Sequence, residues 1–224
     1  MLLTDPPYGI NYSSSSGFDD HARRVNMAKS KARRGSVAGD GSVAVRDNAL
    51  ELWNTANKQT KPAAVFGSWR QPHPKYTRYR ALCSKHPDDM RHIKAVYNHR
   101  DEEIYIWGKG WEVTSRAPSN IITPDNPKPQ AVVTGQIGHP TPKPTNLLEK
   151  IINRTTLQPG ATIADPFAGS GSTLIAAKLT GMKAVGIELE EKYCELIALR
   201  AEHWDKYGCE ITRKWRYEHG VTPY

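Results

Sequence analysis

Short apolar runs with strand character alternate along the chain with segments of helical periodicity. Strands are predicted at residues 1–4, 62–67, 103–107, 161–164 and 183–188. Helices are predicted over residues 47–55 with Asp47 or Asn48 as cap, and from a cap at Asn146 with Leu147, Leu148, Ile151 and Ile152 on one face. A third helix is predicted from Leu174 and ends at Gly181. A fourth follows Glu188, and its apolar face contains Tyr193, Leu196, Ile197 and Trp204. Such alternation is typical of an α/β domain.

Two stretches interrupt this alternation. Residues 11–42 combine a serine run with six basic residues between Arg23 and Arg34, which predicts a mobile basic loop. Residues 109–138 show little periodicity and hold four prolines between Pro118 and Pro129, so we interpret them as an insertion or a recognition loop. The basic loop is either a solvated surface segment or a phosphate contact near the start of the chain.

Composition narrows the class of protein. The 224 residues fit one domain, here predicted as 1–224, and 31 Lys and Arg against 23 Asp and Glu give a formal net charge of +8. This excess favours a polyanionic partner. No run approaches the ~18 apolar residues of a membrane span, and no signal-peptide pattern is present. The three cysteines are scattered, which favours a reducing cytoplasm and argues against a metal site.

The first strand runs directly into Asp5-Pro-Pro-Tyr8. The two prolines fix φ and carry no N–H, so strand pairing must stop there. The turn therefore places a carboxylate, carbonyl groups and an aromatic ring at the carboxyl edge of a sheet, where α/β proteins bind ligands. On these residues alone, a simple proline turn is the better interpretation.

A second turn follows the strand at residues 161–164. It contains Asp165, Gly169 and Gly171 and leads into a helix, so glycines allow a ligand close to the N–H groups of the helix start. Glu188 lies nineteen residues past Gly169, at the end of the next strand, where doubly wound folds bind ribose hydroxyls. Leu174 stands where a nicotinamide dehydrogenase has its third glycine, which disfavours that class. No Gly-Lys-Ser or Gly-Lys-Thr follows, so an NTPase phosphate loop is also disfavoured.

Aromatic and basic residues are interleaved between the second predicted strand and residue 80. They are Trp69, Arg70, Lys75, Tyr76, Arg78, Tyr79 and Arg80. This pattern suits stacking on bases and contacts to phosphates. It arises equally where aromatic side chains attach a loop to the core, and both interpretations stay open.

Taken together, Asp5-Pro-Pro-Tyr8 and the segment 165–173 resemble two motifs of the amino-methylating DNA methyltransferases, which use S-adenosylmethionine. Their order resembles the β group of that family. Residues 139–144 resemble the motif before the cofactor loop, and residues 188–193 the stretch after it. The resemblance implies a Rossmann-like methyltransferase fold with a mostly parallel sheet, helices on both faces and a circularly permuted motif order.

The resemblance also implies residue roles. The catalytic residues would be Asp5, Pro6, Pro7 and Tyr8, with Asp5 and the Pro6 carbonyl accepting hydrogen bonds from the target amine and Tyr8 stacking on a flipped-out base. The cofactor residues would be Asp165, Phe167, Gly169, Gly171, Ser172, Glu188 and Lys143. Family members with Asp at the first catalytic position mostly methylate adenine N6, and those with Ser mostly methylate cytosine N4.

The implied activity is site-specific methylation of adenine N6 in double-stranded DNA, with a homodimer or a restriction nuclease as further partners. Cytosine N4, adenine in RNA and a non-catalytic DNA-binding remnant are the alternatives. Only four residues precede Asp5, whereas the family usually has an upstream strand and helix with an acid that contacts the cofactor's adenine. We expect that acid to be missing or to come from elsewhere.

Overall fold

The computed structural model describes residues 1–9, 41–84, 101–125, 133 and 136–220. Its strands are β1 (Leu2–Thr4), β2 (Ala63–Gly67), β3 (Tyr79–Ser84), β4 (Asp101–Trp107), β5 (Ile121–Ile122), β6 (Thr162–Asp165) and β7 (Lys183–Gly186). Its helices are α1 (Ala44–Asn57), α2 (Thr145–Ile152), α3 (Ser172–Leu179), α4 (Glu191–Tyr207) and α5 (Arg213–Glu218).

The strands form one sheet in the order β5-β3-β4-β2-β1-β6-β7. β1 runs parallel to β2 on one side and to β6 on the other, with Leu2 opposite Ala63 and Ala164. Of the described strands, β4 alone runs in the opposite direction, because it is antiparallel to both β2 and β3. The chain order predicts the first strand beside the strand of the glycine turn, and this prediction is confirmed.

Alternation along β1 sends side chains to two cores. Leu3 faces a cluster with the apolar side of α2 and Ala176 of α3, while Leu2 faces Leu50 of α1. The four predicted core residues of α2, Leu147, Leu148, Ile151 and Ile152, are all buried. Helices therefore cover both faces of a mostly parallel sheet, as predicted.

Several predicted element boundaries are wrong. α1 begins at Ala44, so Asp47 and Asn48 lie inside its first turns rather than at its cap. α2 begins at Thr145 after Pro144, and Asn146 donates a hydrogen bond to the Asp125 carbonyl instead of capping the helix. At α2, proline geometry and the tertiary contact of Asn146 outweigh local cap preference.

The two irregular stretches are described only in part. Residues 11–40 of the predicted basic loop lie outside the described residues, as do 126–132 and 134–135 of the predicted insert. The described part of the insert contains β5, whose two residues pair in parallel with Leu82 and Cys83 of β3. In the described part of the chain, no helix has the length and apolar character needed to cross a membrane.

Candidate active site at the carboxyl edge of the sheet

The Asp5 turn (residues 5–9) begins where β1 ends, as the two prolines predict. The Tyr8 hydroxyl donates a hydrogen bond to Asp5 Oδ1 at 2.7 Å, and Lys143 Nζ donates to Asp5 Oδ2 at 2.5 Å. Lys143 Nζ also lies 3.4 Å from Glu102 Oε2. The side chain of Lys143 is only 9% exposed, so its charge sits largely out of water between two carboxylates.

Burial and charge set the protonation of this group. Burial raises the pKa of Asp5 and Glu102 adds to the rise, whereas Lys143 opposes it. Burial lowers the pKa of Lys143, but Asp5 and Glu102 outweigh burial, so the net pKa of Lys143 is raised and the ammonium is kept. Burial and the neighbouring carboxylates raise the pKa of Tyr8 well above its usual range, which keeps its hydroxyl as a donor.

The glycine turn (residues 165–171) begins where β6 ends, beside the Asp5 turn. Asp165 Oδ1 accepts hydrogen bonds from the Thr4 hydroxyl at 2.5 Å and from the Phe167 N–H at 3.1 Å. Burial raises the pKa of Asp165 to about 6, against the effect of these hydrogen bonds. Because Thr4 is the last residue of β1, its hydroxyl connects the two turns across neighbouring strands.

Both predicted glycines have backbone conformations that favour glycine. Gly169 has φ of 50°, and a Cβ there would lie 3.1 Å from His139 Nε2. Gly171 has φ of 77°, and a Cβ there would lie 2.7 Å from Ile197 Cγ1. A side chain at either position would strain the backbone and crowd a neighbour. The sequence prediction that these glycines allow a tight turn is confirmed.

Glu188 contacts the glycine turn directly. Its Oε2 accepts a hydrogen bond from the Gly169 N–H at 2.7 Å, and its Oε1 accepts one from the Glu190 N–H at 2.9 Å. β7 ends at Gly186, so Glu188 lies two residues beyond the strand rather than at its end. The flanking Ile187 and Leu189 are 65% and 84% exposed, and sequence reasoning did not select either of them.

A buried arginine supports the glycine turn from behind. Arg200 of α4 is fully buried, and its Nη1 donates hydrogen bonds to the Ser170 carbonyl and to Ser172 Oγ. Its Nε and Nη2 donate to the two carboxylate oxygens of Glu210. The predicted cofactor residue Ser172 therefore contacts this guanidinium. Arg200 was not predicted from the sequence, because the buried face of this helix was identified from apolar residues alone.

The segment 139–143 contacts both turns. The His139 ring lies against Gly169 and packs 4.5 Å, centroid to centroid, from Tyr193, while its Nδ1 accepts the Thr141 N–H at 3.2 Å. Burial, followed by the positive charge of Lys143, lowers the pKa of His139 to about 3, so the ring is neutral. Four residues later, Lys143 reaches Asp5. The structure thus places Lys143 at the Asp5 turn, and its predicted contact with the cofactor stays a prediction.

The structure therefore brings the predicted site residues into two adjoining groups. One group contains Asp5, Tyr8 and Lys143, and the other contains Asp165, Gly169 and Glu188. Glu102 joins the first group without having been predicted. The arrangement places a carboxylate with a fixed orientation beside a glycine turn whose Gly169 N–H is bonded to Glu188.

The aromatic and basic segment has two parts with different surroundings. Tyr76 packs against the core next to α1 and donates a hydrogen bond to Glu51, which also pairs with Lys75. Trp69 and Tyr79 are instead 57% and 69% exposed. The segment also contacts the Asp5 turn, because Gln71 Nε2 donates to the Gly9 carbonyl at 2.9 Å. Attachment to the core therefore accounts for Tyr76.

Comparison with known proteins decides the family. The family model described as DNA methylase, which groups N6 and N4 methyltransferases, matches residues 43–199. The chain belongs to this family. The predicted membership of the amino-methylating DNA methyltransferases is confirmed. The matched range includes the glycine turn and begins after the Asp5 turn, so the roles of residues 5–8 stay predictions.

Three relatives of this DNA methylase are informative. YubD of Escherichia coli, named as a methylase, is 28% identical over 207 residues, which are 86% of this chain and 77% of YubD. Type II methyltransferase M2.DpnII of Streptococcus pneumoniae is 45% identical over 64 residues, 29% of this chain and 24% of that protein. DNA adenine methyltransferase YhdJ of Escherichia coli is 34% identical over 99 residues, 44% of this chain and 33% of YhdJ.

Solved structures share the fold of this DNA methylase. M1.HpyAVI superposes with a TM-score of 0.56 at 18% identity, covering 89% of this chain and 86% of that one. The cytosine-N4-specific PvuII DNA methyltransferase superposes with a TM-score of 0.57 at 14% identity, covering 88% and 77%. The predicted Rossmann-like methyltransferase fold is confirmed.

Proposed function

We propose that this DNA methylase transfers a methyl group from S-adenosylmethionine to the N6 amine of adenine in double-stranded DNA. The observation that carries the proposal is the position of Asp5. Its carboxylate lies at the end of β1, and the preceding residue, Thr4, donates directly to Asp165 of the glycine turn. An acceptor for the target amine and the proposed cofactor site therefore lie at one edge of the sheet.

The residues of the glycine turn fit the proposed cofactor. Gly169 and Gly171 have positive φ and pack against His139 and Ile197, which lets the turn close tightly beside the proposed cofactor. Asp165 and Phe167 would line the methionine end of the cofactor, and Glu188 would accept the ribose hydroxyls. The exposed Leu189, next to Glu188, offers an apolar surface for an aromatic ring. M1.HpyAVI has also been crystallised in complex with S-adenosylmethionine, and that structure superposes on this chain with a TM-score of 0.52.

The Asp5 turn would orient the target amine. One N–H of the amine donates to the Asp5 carboxylate and the other to the Pro6 carbonyl, which directs the nitrogen lone pair toward the glycine turn. When bound, S-adenosylmethionine would supply a methyl group on a sulfonium: the N–C bond would form as the C–S bond breaks, the neutral thioether would leave, and the surplus proton on the nitrogen would pass to solvent. Positioning supplies most of the catalysis, because no covalent enzyme intermediate is required.

Tyr8 would stack on the flipped-out base, and Pro7 would hold the turn rigid. The hydrogen bond from the Tyr8 hydroxyl to Asp5 fixes the ring beside the carboxylate that orients the amine. The ring therefore has one defined position relative to the acceptor. A base can enter this pocket only after it has flipped out of the DNA duplex.

The exposed Trp69, just beyond the carboxyl end of β2, would contact the DNA next to the Asp5 turn. Arg70 lies over its ring at 5.6 Å, and the chain carries a net charge of +8. Tyr79 lies opposite Ile106, toward the other end of the sheet, and is not part of this surface. Stacking on unpaired bases and pairing with phosphates are the contacts that such a surface makes. The link from Gln71 to Gly9 places this surface next to the proposed target pocket.

The relatives support adenine more closely than cytosine. YhdJ carries the name of a DNA adenine methyltransferase, whereas the cytosine-N4-specific PvuII enzyme shares the fold at 14% identity. M2.DpnII is named as a type II methyltransferase. A homodimer and a partner nuclease stay predictions for this chain.

The proposal is tested with purified protein, duplex DNA and S-adenosylmethionine carrying a tritiated methyl group. Tritium should enter the DNA, and calorimetry should show that the protein binds the cofactor without DNA. Cofactor binding without any transfer would contradict the proposed reaction. Absence of both would support a non-catalytic DNA-binding remnant instead.

A further inference from the structure

Glu102 reaches the active edge of the sheet because β4 is antiparallel. Parallel strands bring their carboxyl ends to this edge, whereas an antiparallel strand brings its amino end there. Glu103 pairs with Gly67, the last residue of β2, so the amino end of β4 lies beside the end of β2. The side chains of Glu102 and Glu103 point to opposite faces of the sheet. Glu102 therefore faces Lys143, and Glu103 faces Arg80 and Tyr105.

Lys143 is shared between two carboxylates. Its Nζ lies 2.5 Å from Asp5 Oδ2 and 3.4 Å from Glu102 Oε2, and also 5.6 Å from the centre of the Tyr8 ring and 5.2 Å from that of Phe66. An ammonium group has three donors, so it can bond to both acids at once. The shorter distance marks Asp5 as its stronger partner in this structure.

The Asp5 carboxylate is already engaged at both oxygens. Tyr8 donates to Oδ1 and Lys143 donates to Oδ2. An incoming amine must therefore share one of these oxygens or displace Tyr8 or Lys143, and displacing Lys143 moves a buried charge. A second carboxylate that stabilises Lys143 as it moves away from Asp5 would lower the cost of that exchange.

We infer that Glu102 is a positioning residue, which takes up Lys143 while Asp5 accepts the target amine. This inference rests on the proposed function, in which Asp5 orients an exocyclic amine. The charges agree with it, because two carboxylates and one ammonium leave one net negative charge. Positive charge develops on the amine nitrogen as the methyl group arrives, and this net charge stabilises it. With a neutral residue at position 102, Lys143 would neutralise Asp5, and the group would carry no net negative charge.

The inference is tested with steady-state methylation of duplex DNA by the full chain carrying Glu102→Gln. We expect kcat to fall roughly ten- to hundredfold, the effect of one charge-assisted hydrogen bond, while the Kd for S-adenosylmethionine stays within threefold. Glu102→Asp keeps the charge on a shorter side chain and should have a kcat between those of the other two proteins. Glu112→Gln, which removes a carboxylate from an exposed pair with Arg154, should match the unmodified chain.

The outcomes separate this inference from the proposed function. If the unmodified chain methylates no DNA, the proposed function fails. If the unmodified chain is active and Glu102→Gln has a kcat within twofold of it, only the inference about Glu102 fails. A parallel loss of kcat, cofactor affinity and unfolding temperature would also overturn it, because that pattern indicates a purely structural role. Should Glu102→Gln fail to fold, Glu102→Asp decides by the same comparison of kcat with cofactor Kd.

Discussion

The two turns at the active edge are built from different interactions. The Asp5 turn is organised by side-chain charges, with Tyr8, Lys143 and Glu102 grouped around one carboxylate. The glycine turn is organised through its backbone, since Gly169 donates to Glu188 and the Ser170 carbonyl accepts from Arg200. The difference indicates a division of labour. Changes of charge at the first turn should affect the chemical step, whereas changes of shape at the second should affect cofactor binding.

The largest expected difference is between two matched substitutions, Asp5→Asn and Asp165→Asn. Asp5→Asn replaces an acceptor oxygen with a donor, so kcat should fall about a thousandfold with cofactor affinity unchanged. Asp165→Asn disturbs the acceptor of the Thr4 hydroxyl and the Phe167 N–H and should chiefly weaken cofactor binding. Single-turnover methylation and calorimetry measure the two quantities. Equal effects of both variants on both quantities would contradict the division of labour.

Arg200→Met should show how far the glycine turn depends on its buried support. The substitution leaves the Glu210 carboxylate and the Ser170 carbonyl without this guanidinium, so the free energy of unfolding should fall by about 3 kcal/mol. Urea denaturation measures this loss, and calorimetry should show weaker cofactor binding. Adding Glu210→Gln should recover part of the stability, because the unpaired charge is removed. An unchanged free energy of unfolding would show that this ion pair does not support the turn.

His139→Asn should change how stability depends on pH. The folded pKa of His139 is lowered to about 3, so between pH 3 and 6.5 the unfolded chain binds more protons at this residue. Its contribution to stability is therefore complete above pH 6.5 and declines as the pH falls below that value. Between pH 7.5 and pH 5 the free energy of unfolding of the unmodified chain should fall by about 2 kcal/mol more than that of the Asn variant. Urea denaturation of both proteins at pH 7.5 and pH 5 gives this difference, and a constant difference would contradict a neutral buried ring.

Trp69→Ala should have the smallest effect on methylation and should leave the structures of both turns unchanged. Loss of one stacking surface is expected to raise the KM for DNA about tenfold, with kcat and cofactor affinity unchanged. Tyr217→Ala is the control, since Tyr217 is 53% exposed with Arg213 over its ring at 5.6 Å, the same distance that separates Arg70 from the ring of Trp69. Equal KM values for both variants would remove Trp69 from the proposed DNA surface.

Local chemistry in the sequence predicts the two turns well. The prolines after β1 predict that the strand ends at Thr4, which is confirmed, and β6 ends at Asp165, one residue beyond the predicted end. The position of β1 beside β6 follows from the motif order and is also confirmed. The strand ends depend on residues close together in the chain, whereas the adjacency of β1 and β6 depends on the order of two distant motifs.

Features that depend on distant contacts escaped prediction. The reversed direction of β4 brings Glu102 to the active edge, and nothing in the residues of that strand indicates its direction. Arg200 occupies a helix position that an apolar residue would normally fill, because Glu210 and the Ser170 carbonyl compensate its charge and donors. Lys143 was selected as a site residue through its motif, yet only the fold shows that it lies at Asp5.

The central claim, that Asp5 orients an adenine amine for methylation, is tested most directly by identifying the methylated nucleoside. Duplex DNA is incubated with the protein and S-adenosylmethionine carrying a deuterated methyl group, digested to nucleosides and analysed by mass spectrometry. The account predicts labelled N6-methyldeoxyadenosine with the unmodified chain and none with Asp5→Ala. Labelled N4-methyldeoxycytidine, or equal labelling by the Asp5→Ala variant, would contradict it.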